Sequence, residues 1–144
     1  MRRRTLVAGL PLLALAPEAF AHPPRQPDPA EAKKFIEEVT DFRAKLARAV
    51  LAKDFAALRP LYADSFTHTH GSGKLDNKDA RLAAAMAGEP LIESAPATDL
   101  VFRVFAGPIL NVREQKTYDF RWVCVYVTAQ DGWQLAVSQA SRLS

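Results

Sequence analysis

Hydrophobic positions recur at helical spacing in the first half of the chain and at strand spacing in the second. Phe35, Ile36, Val39, Phe42, Leu46 and Val50 fall mostly three or four apart, the period that gathers apolar side chains on one helix face. Lys33, Lys34, Glu37, Glu38, Asp41, Lys45 and Arg48 fill the opposite side and read as a solvated face. Asp28 can cap the start, Pro29 suits the first helical position, and Glu31 stands three residues on as a capping-box partner. A long amphipathic helix is predicted over residues 29–52. Asp54 can cap a second helix marked by Phe55, Leu58, Leu61 and Tyr62. Pro60 lacks a backbone donor and crowds the preceding turn, so this helix should end or kink near Arg59. Gly71-Ser72-Gly73 reads as a turn. Asp76 or Asn77 can cap a third helix over residues 78–87, which Gly88 ends and Pro90 confirms.

Beyond Pro90 the period changes to two. Strands are expected over residues 91–95, 100–105, 109–114, 118–128 and 133–142, with Asp131-Gly132 as a hairpin turn. Helices followed by a run of antiparallel strands define an α+β domain. In the longest strand Phe120, Trp122, Cys124 and Tyr126 alternate with Arg121, Val123, Val125 and Val127. A solvated antiparallel sheet should keep one polar face, and this strand largely lacks one. The domain's own helices cover one side. A second copy of the chain is the expected cover for the other, giving a homodimer through the sheet.

At 144 residues, 49% of them hydrophobic, the chain is one domain with material for a proper core. The first residues stand apart from that core. Arg2-Arg3-Arg4, the short apolar run Leu6–Ala16 and the small-x-small site Ala19-Phe20-Ala21 follow the order of a secretory signal. Arg3-Arg4 before Thr5-Leu6-Val7 resembles a twin-arginine export signal. Residues 1–21 are therefore expected to be an export signal, 22–28 an extended leader and 29–144 the folded domain, placed in the periplasm or outside the cell. The alternatives are a cytoplasmic protein with a frayed apolar tail and a retained lipid-facing anchor. Removing three Arg and one Glu with the signal leaves 16 basic and 15 acidic residues, a net charge of +1. That balance, with no basic stripe and no aromatic interleaving, gives no reason to expect a nucleic-acid partner. The apolar run is too short to span a bilayer, so no membrane association is expected once the signal is cleaved. Cys124 is the single cysteine and lies in an apolar run, where a buried, inert thiol is expected.

The order of motifs adds a resemblance. A long helix is followed by Lys53-Asp54-Phe55, Tyr62-Ala63-Asp64, the stretch Phe66–Gly73, Lys78 and the closing Asp131-Gly132-Trp133 and Gln139-Ala140-Ser141-Arg142. Together these resemble small bacterial proteins of the nuclear transport factor 2-like superfamily, in the SnoaL-like and uncharacterised-domain branch. The resemblance implies a cystatin-like cone, in which a curved antiparallel sheet wraps around three N-terminal helices and encloses a cavity. Relatives of that kind include ketosteroid isomerase, polyketide cyclases and scytalone dehydratase, alongside many domains without known activity. Fold alone therefore does not settle function.

Candidate chemistry centres on residues 64–73. In an extended segment Phe66, His68 and His70 share one face. Phe66 is apolar, so its face should point inward and carry one or both histidines with it. A neutral imidazole can take or give a proton near neutral pH, and Asp64 is close enough in sequence to orient one. The tentative catalytic set is His68, His70 and Asp64. Their bland alternatives are a hydrogen-bonded core histidine, a turn histidine and a carboxylate pinning the loop. Phe66, Tyr118, Trp122 and Trp133 could form ligand-binding walls, or serve as core and dimer contacts. Gln139 shares a strand face with Trp133, Leu135 and Val137 and is expected to be its inner polar end. That row offers no acid where the isomerase and cyclase relatives place one. Two histidines fall short of a metal site, and neither metal nor cofactor is expected. Two functions remain: a binding domain for a small, partly apolar molecule, or a cofactor-free isomerase, cyclase or dehydratase working through a histidine.

Overall fold

The computed structural model describes residues 26–96, 98–105, 111–117 and 120–142. The expected signal, most of the leader and Tyr118 lie outside them. Helix α1 (Pro29–Ala52) starts where Asp28 accepts the N–H groups of Ala30 and Glu31, both at 2.9 Å. Such a cap is worth about 1 kcal/mol. Its buried face carries Val39, Phe42, Leu46, Ala49 and Val50. Helix α2 (Phe55–Leu58) is capped by Asp54, and the chain tightens into a 3-10 turn over Arg59–Leu61. The expected break falls where Pro60 forces it. Helix α3 (Lys78–Ala87) is capped by Asn77, not Asp76, and ends at Gly88, whose φ of 80° is the left-handed value that suits glycine.

Six strands form one sheet: β1 (Tyr62–Thr69), β2 (Leu75–Asn77), β3 (Thr98–Val104), β4 (Asn111–Thr117), β5 (Phe120–Ala129) and β6 (Gly132–Arg142). Their order across the sheet is β2-β1-β6-β5-β4-β3. Two elements differ from expectation. Residues 91–95 form a 3-10 turn over Ile92–Ser94 instead of a strand. Leu75–Asn77, read only as a helix cap, forms the antiparallel partner of β1. The sheet is antiparallel except where β1 lies parallel to β6, because α3 and most of the sheet intervene in sequence between these neighbours.

The core fills the space between the helices and the inner sheet face. Val39, Phe42 and Leu46 from α1 meet Leu58, Leu61, Leu82, Tyr126 and Leu135. Phe42 packs edge-on to Tyr126 with centroids 5.8 Å apart. Each fully buried large apolar side chain contributes roughly 1.5–3 kcal/mol. Val137 and Val101 are exposed, and the outer face around Val125, Val127, Ala136 and Val137 forms a shallow apolar hollow of about 710 Å³. Among the described residues no helix is long and apolar enough to cross a membrane.

Two strand irregularities face each other and decide what reaches the inner face. On β6, Val137 pairs with Val125 while Leu135 pairs with Tyr126, so Ala136 is an extra residue, a β-bulge. On β1, five residues from Tyr62 to Thr67 advance against only two on β6. The bulge reverses the alternation of β6. Leu135 is inward before it, and Ser138 and Ala140 are inward after it.

Candidate functional site

The phase expected for β1 holds at its centre: Phe66 and His68 are each 1% exposed. The hairpin back into β2 then lays His68 opposite Asp76. Alternation along β2 leaves Leu75 and Asn77 exposed and turns Asp76 inward. His68, His70 and Asp76 thus share one corner of the inner face.

His70 Nε2 and Asp76 Oδ2 are 2.5 Å apart, and Lys74 donates to Asp76 Oδ1 at 2.9 Å. Burial pushes the Asp76 carboxyl up, but the hydrogen bonds from His70 and Lys74 outweigh it and hold it down at about 2. His68 stacks on Trp122 with centroids 5.6 Å apart and meets the His70 ring edge-on at 4.4 Å. Its Nδ1 lies 3.0 Å from Ser138 Oγ. Among the described residues its Nε2 has no hydrogen-bonding partner. Burial first, and the Arg81 cation second, depress its pKa to about 4, against the pull of Glu93 and Asp76. At neutral pH it is an uncharged imidazole.

Behind this corner lies a second buried network. Arg81 donates from Nε and Nη2 to the two carboxylate oxygens of Glu93, at 3.0 and 2.7 Å. The Tyr62 hydroxyl donates to Glu93 Oε1 at 3.1 Å. Burial and the adjacent carboxylate raise the Tyr62 hydroxyl far above its usual range. Desolvation works against the guanidinium charge, but the paired Glu93 outweighs it and raises Arg81. This network fixes α3 and the 3-10 turn beneath β1.

No protein-family model matches this sequence, and no curated protein sequence matches it. Solved structures do resemble the chain. An NTF2-like protein from Cytophaga hutchinsonii superposes with a TM-score of 0.61 at 18% identity, covering 75% of this chain and 98% of that one. A cystatin-like fold protein from Burkholderia xenovorans gives 0.57 at 16% identity, covering 77% and 93%. A protein from Streptomyces avermitilis, provisionally named a dehydratase of the NTF2-like family, gives 0.56 at 16% identity, covering 78% and 98%. The fold is NTF2-like. At these identities the likeness concerns the fold alone.

Within this NTF2-like fold the sequence-predicted residues separate. His68, His70 and Trp122 come together. Phe66 lies deeper, packed edge-on against Tyr62 at 4.7 Å. Asp64 does not orient either histidine. The β1 irregularity turns its side chain fully into solvent, where Lys78 holds it at 2.8 Å and lowers its pKa. Gln139 is exposed, because the bulge at Ala136 moves it to the outer face and puts Ser138 in the inner row. Trp133 stands roughly 15 Å along β6 from Ser138. Its Nε1 donates to Glu38 Oε2 at 3.0 Å, and it borders a separate groove of about 600 Å³ with Phe42, Lys45 and Arg48.

Four residues of the site were not singled out from sequence: Asp76, Ser138, Arg81 and Glu93. Alternation through 74–77 after the Gly71–Gly73 turn was a signal for Asp76. Nothing local marks the other three. Among the described residues, no group of three or more His, Cys, Asp or Glu side chains is gathered to hold a metal ion.

The depressed His68 pKa makes stability pH-dependent. Unfolded, His68 takes a proton as pH falls through its ordinary value of 6.5; folded, it resists until about 4. Its contribution is therefore complete above pH 6.5 and is lost as pH falls toward 4. The loss reaches about 3 kcal/mol at pH 4. Urea titrations should show this decline in the wild type and a flatter profile in His68→Gln between those pH values. Equal slopes in both proteins would show that water reaches His68.

Proposed function

We propose that the protein binds a small, partly apolar molecule on the inner sheet face, with His68 and His70 meeting its polar end. The observation that carries this reading is His68. It is buried, uncharged and flanked by aromatic rings, yet its Nε2 lacks a partner among the described residues. Buried polar groups are nearly always satisfied, and a ligand atom would satisfy this one. Phe66 and Trp122 supply the apolar side.

A second reading, proton transfer without a cofactor, is favoured by the His70–Asp76 pair. An ionised, buried carboxylate bound to Nε2 orients the ring and leaves Nδ1 as the nitrogen with the free lone pair, which is the support a general base needs. The provisional dehydratase name of the Streptomyces neighbour agrees with that class of chemistry. Thermal-shift screening against small cyclic ketones and alcohols tests the first reading. A compound that protects the wild type should lose its effect in His68→Ala and in His70→Ala; equal protection in all three proteins would exclude the site. If such a compound is turned over, Asp76→Asn should lower kcat by roughly 10²–10⁴. An unchanged kcat would exclude the His70–Asp76 pair from the chemistry.

The outer face around Val125, Val127 and Val137 fits a second copy of the chain, since its apolar hollow continues along the sheet. Light scattering at micromolar concentration should give twice the chain mass. A monomer would exclude that partner.

A further inference from the structure

The inner face of β5 and β6 carries a line of polar groups behind His68 that the preceding reading does not use. Cys124 pairs across the strands with Ser138. The Cys124 thiol donates to Ser138 Oγ at 3.9 Å, and Ser138 Oγ lies 3.0 Å from His68 Nδ1. The Tyr126 hydroxyl interacts with the same thiol. All four side chains are buried, with Ser138 and His68 at 0% and 1% exposure.

Each of these groups has few hydrogens to place. A serine hydroxyl has one, and imidazole nitrogen is a far better acceptor than a thiol sulfur. Burial raises the thiol to about 11, so it keeps its proton, and with the Tyr126 hydroxyl directed at the sulfur that proton is the one free to be donated to Ser138 Oγ. The consistent direction runs from Cys124 Sγ–H to Ser138 Oγ, and from Ser138 Oγ–H to His68 Nδ1. In that arrangement Nδ1 is the acceptor and the single ring proton sits on Nε2. The reverse arrangement would send the serine proton to sulfur, a much weaker acceptor than imidazole nitrogen, while Nε2 stays without a protein partner in either case among the described residues.

We propose that Ser138, backed by Cys124, is a positioning residue that holds His68 in its Nε2–H form, making His68 a hydrogen-bond donor to a ligand oxygen and not a base. The two histidines then have different tasks. His70, oriented by Asp76, is the group that takes a proton, and His68 is the neutral donor. The ligand class narrows accordingly to molecules whose polar end carries a carbonyl or other acceptor oxygen. Arg81, Glu93, His70 and Asp76 are the charged and titratable groups acting on His68 from the surrounding elements. The ion pairs of the first two and of Asp76 with Lys74 largely balance, so they do not force a charged imidazole.

This assignment rests on the ligand site proposed above, but its test does not need a ligand. Nitrogen-15 NMR of histidine-labelled protein at pH 7 reads the tautomer directly, through the correlation of the protonated nitrogen to Hδ2. The expected result is one His68 form, protonated at Nε2, in the wild type and in Ser138→Thr. In Ser138→Ala the Nδ1–H form should appear as a substantial fraction. Protonation at Nδ1 in the wild type would overturn the proposal, as would an unchanged tautomer in a folded Ser138→Ala. If Ser138→Ala does not fold, the wild-type spectrum alone decides. An Nε2–H signal in a protein that no screened compound protects would fail the ligand site and leave the tautomer assignment standing; Nδ1–H in a protein that binds would do the opposite.

Discussion

Glu93→Ala is expected to destabilise the protein by roughly 3–5 kcal/mol, the cost of breaking a buried ion pair from one side. The side chains of Arg81 and Glu93 are only 4% and 2% exposed. Without the carboxylate, the guanidinium loses both of its short bonds and the Tyr62 hydroxyl loses its acceptor. Neither donor can turn to water from that depth. At roughly 4–8 °C per kcal/mol for a small domain, Tm should fall by more than about 10 °C. The double replacement Arg81→Met with Glu93→Leu should recover much of the loss, because it removes both charges instead of stranding one. Calorimetry of the three proteins separates the cases. A fall of less than about 3 °C in Glu93→Ala would mean that the pair is solvated and that Arg81 is not held beneath β1.

Phe66→Ala should cost about 3–5 kcal/mol, by lost apolar burial and the cavity left behind. Phe66 is 1% exposed and packs edge-on against Tyr62. Its neighbour Thr67 points to the other side and is partly exposed, so Thr67→Ala should cost under about 1 kcal/mol. The contrast between adjacent positions is a direct measure of strand phase. Urea unfolding with an unchanged m-value would report it as a shift in midpoint. Similar costs at the two positions would overturn the inward assignment of Phe66, and with it that of His68.

How much of this could be read from sequence depended on how local the cause was. The span of α1 follows from Asp28, Pro29 and a helical apolar period, all within the helix itself. The break after Leu58 follows from Pro60. The strand period around Trp122, Cys124 and Tyr126 gave β5, and Asp131-Gly132 gave its hairpin with β6. Residues 91–95 misled because Leu91 and Ile92 look like a strand start. The chain instead takes a tight turn there, and the turn aims Glu93 at Arg81. The misplacement of Gln139 has a different origin. Strict alternation from Trp133 is sound until Ala136, and the extra residue there is recorded in the pairing with β5 and not in the sequence of β6. Asp64 escapes the inner face for the same reason on β1. The β1 irregularity arises against β6, more than sixty residues away, so no short window of sequence contains both partners. The β6 bulge arises within the β5–β6 hairpin, but nothing in the residues themselves marks Ala136 as the extra one.

The bulge at Ala136 makes chain length, not side-chain identity, the variable that selects what stands behind His68. Deleting Ala136 would remove the extra step yet leave Leu135 on Tyr126, Val137 on Val125 and Ser138 on Cys124, so the inner row would stay as it is. Adding one residue between Val137 and Ser138 would do the opposite: Ser138 and Ala140 would turn outward and Gln139 inward. His68 would then lose the hydroxyl behind it. A single-codon insertion is thus a different kind of change here from any substitution, since it would exchange the inner row of the last strand beyond the bulge at once.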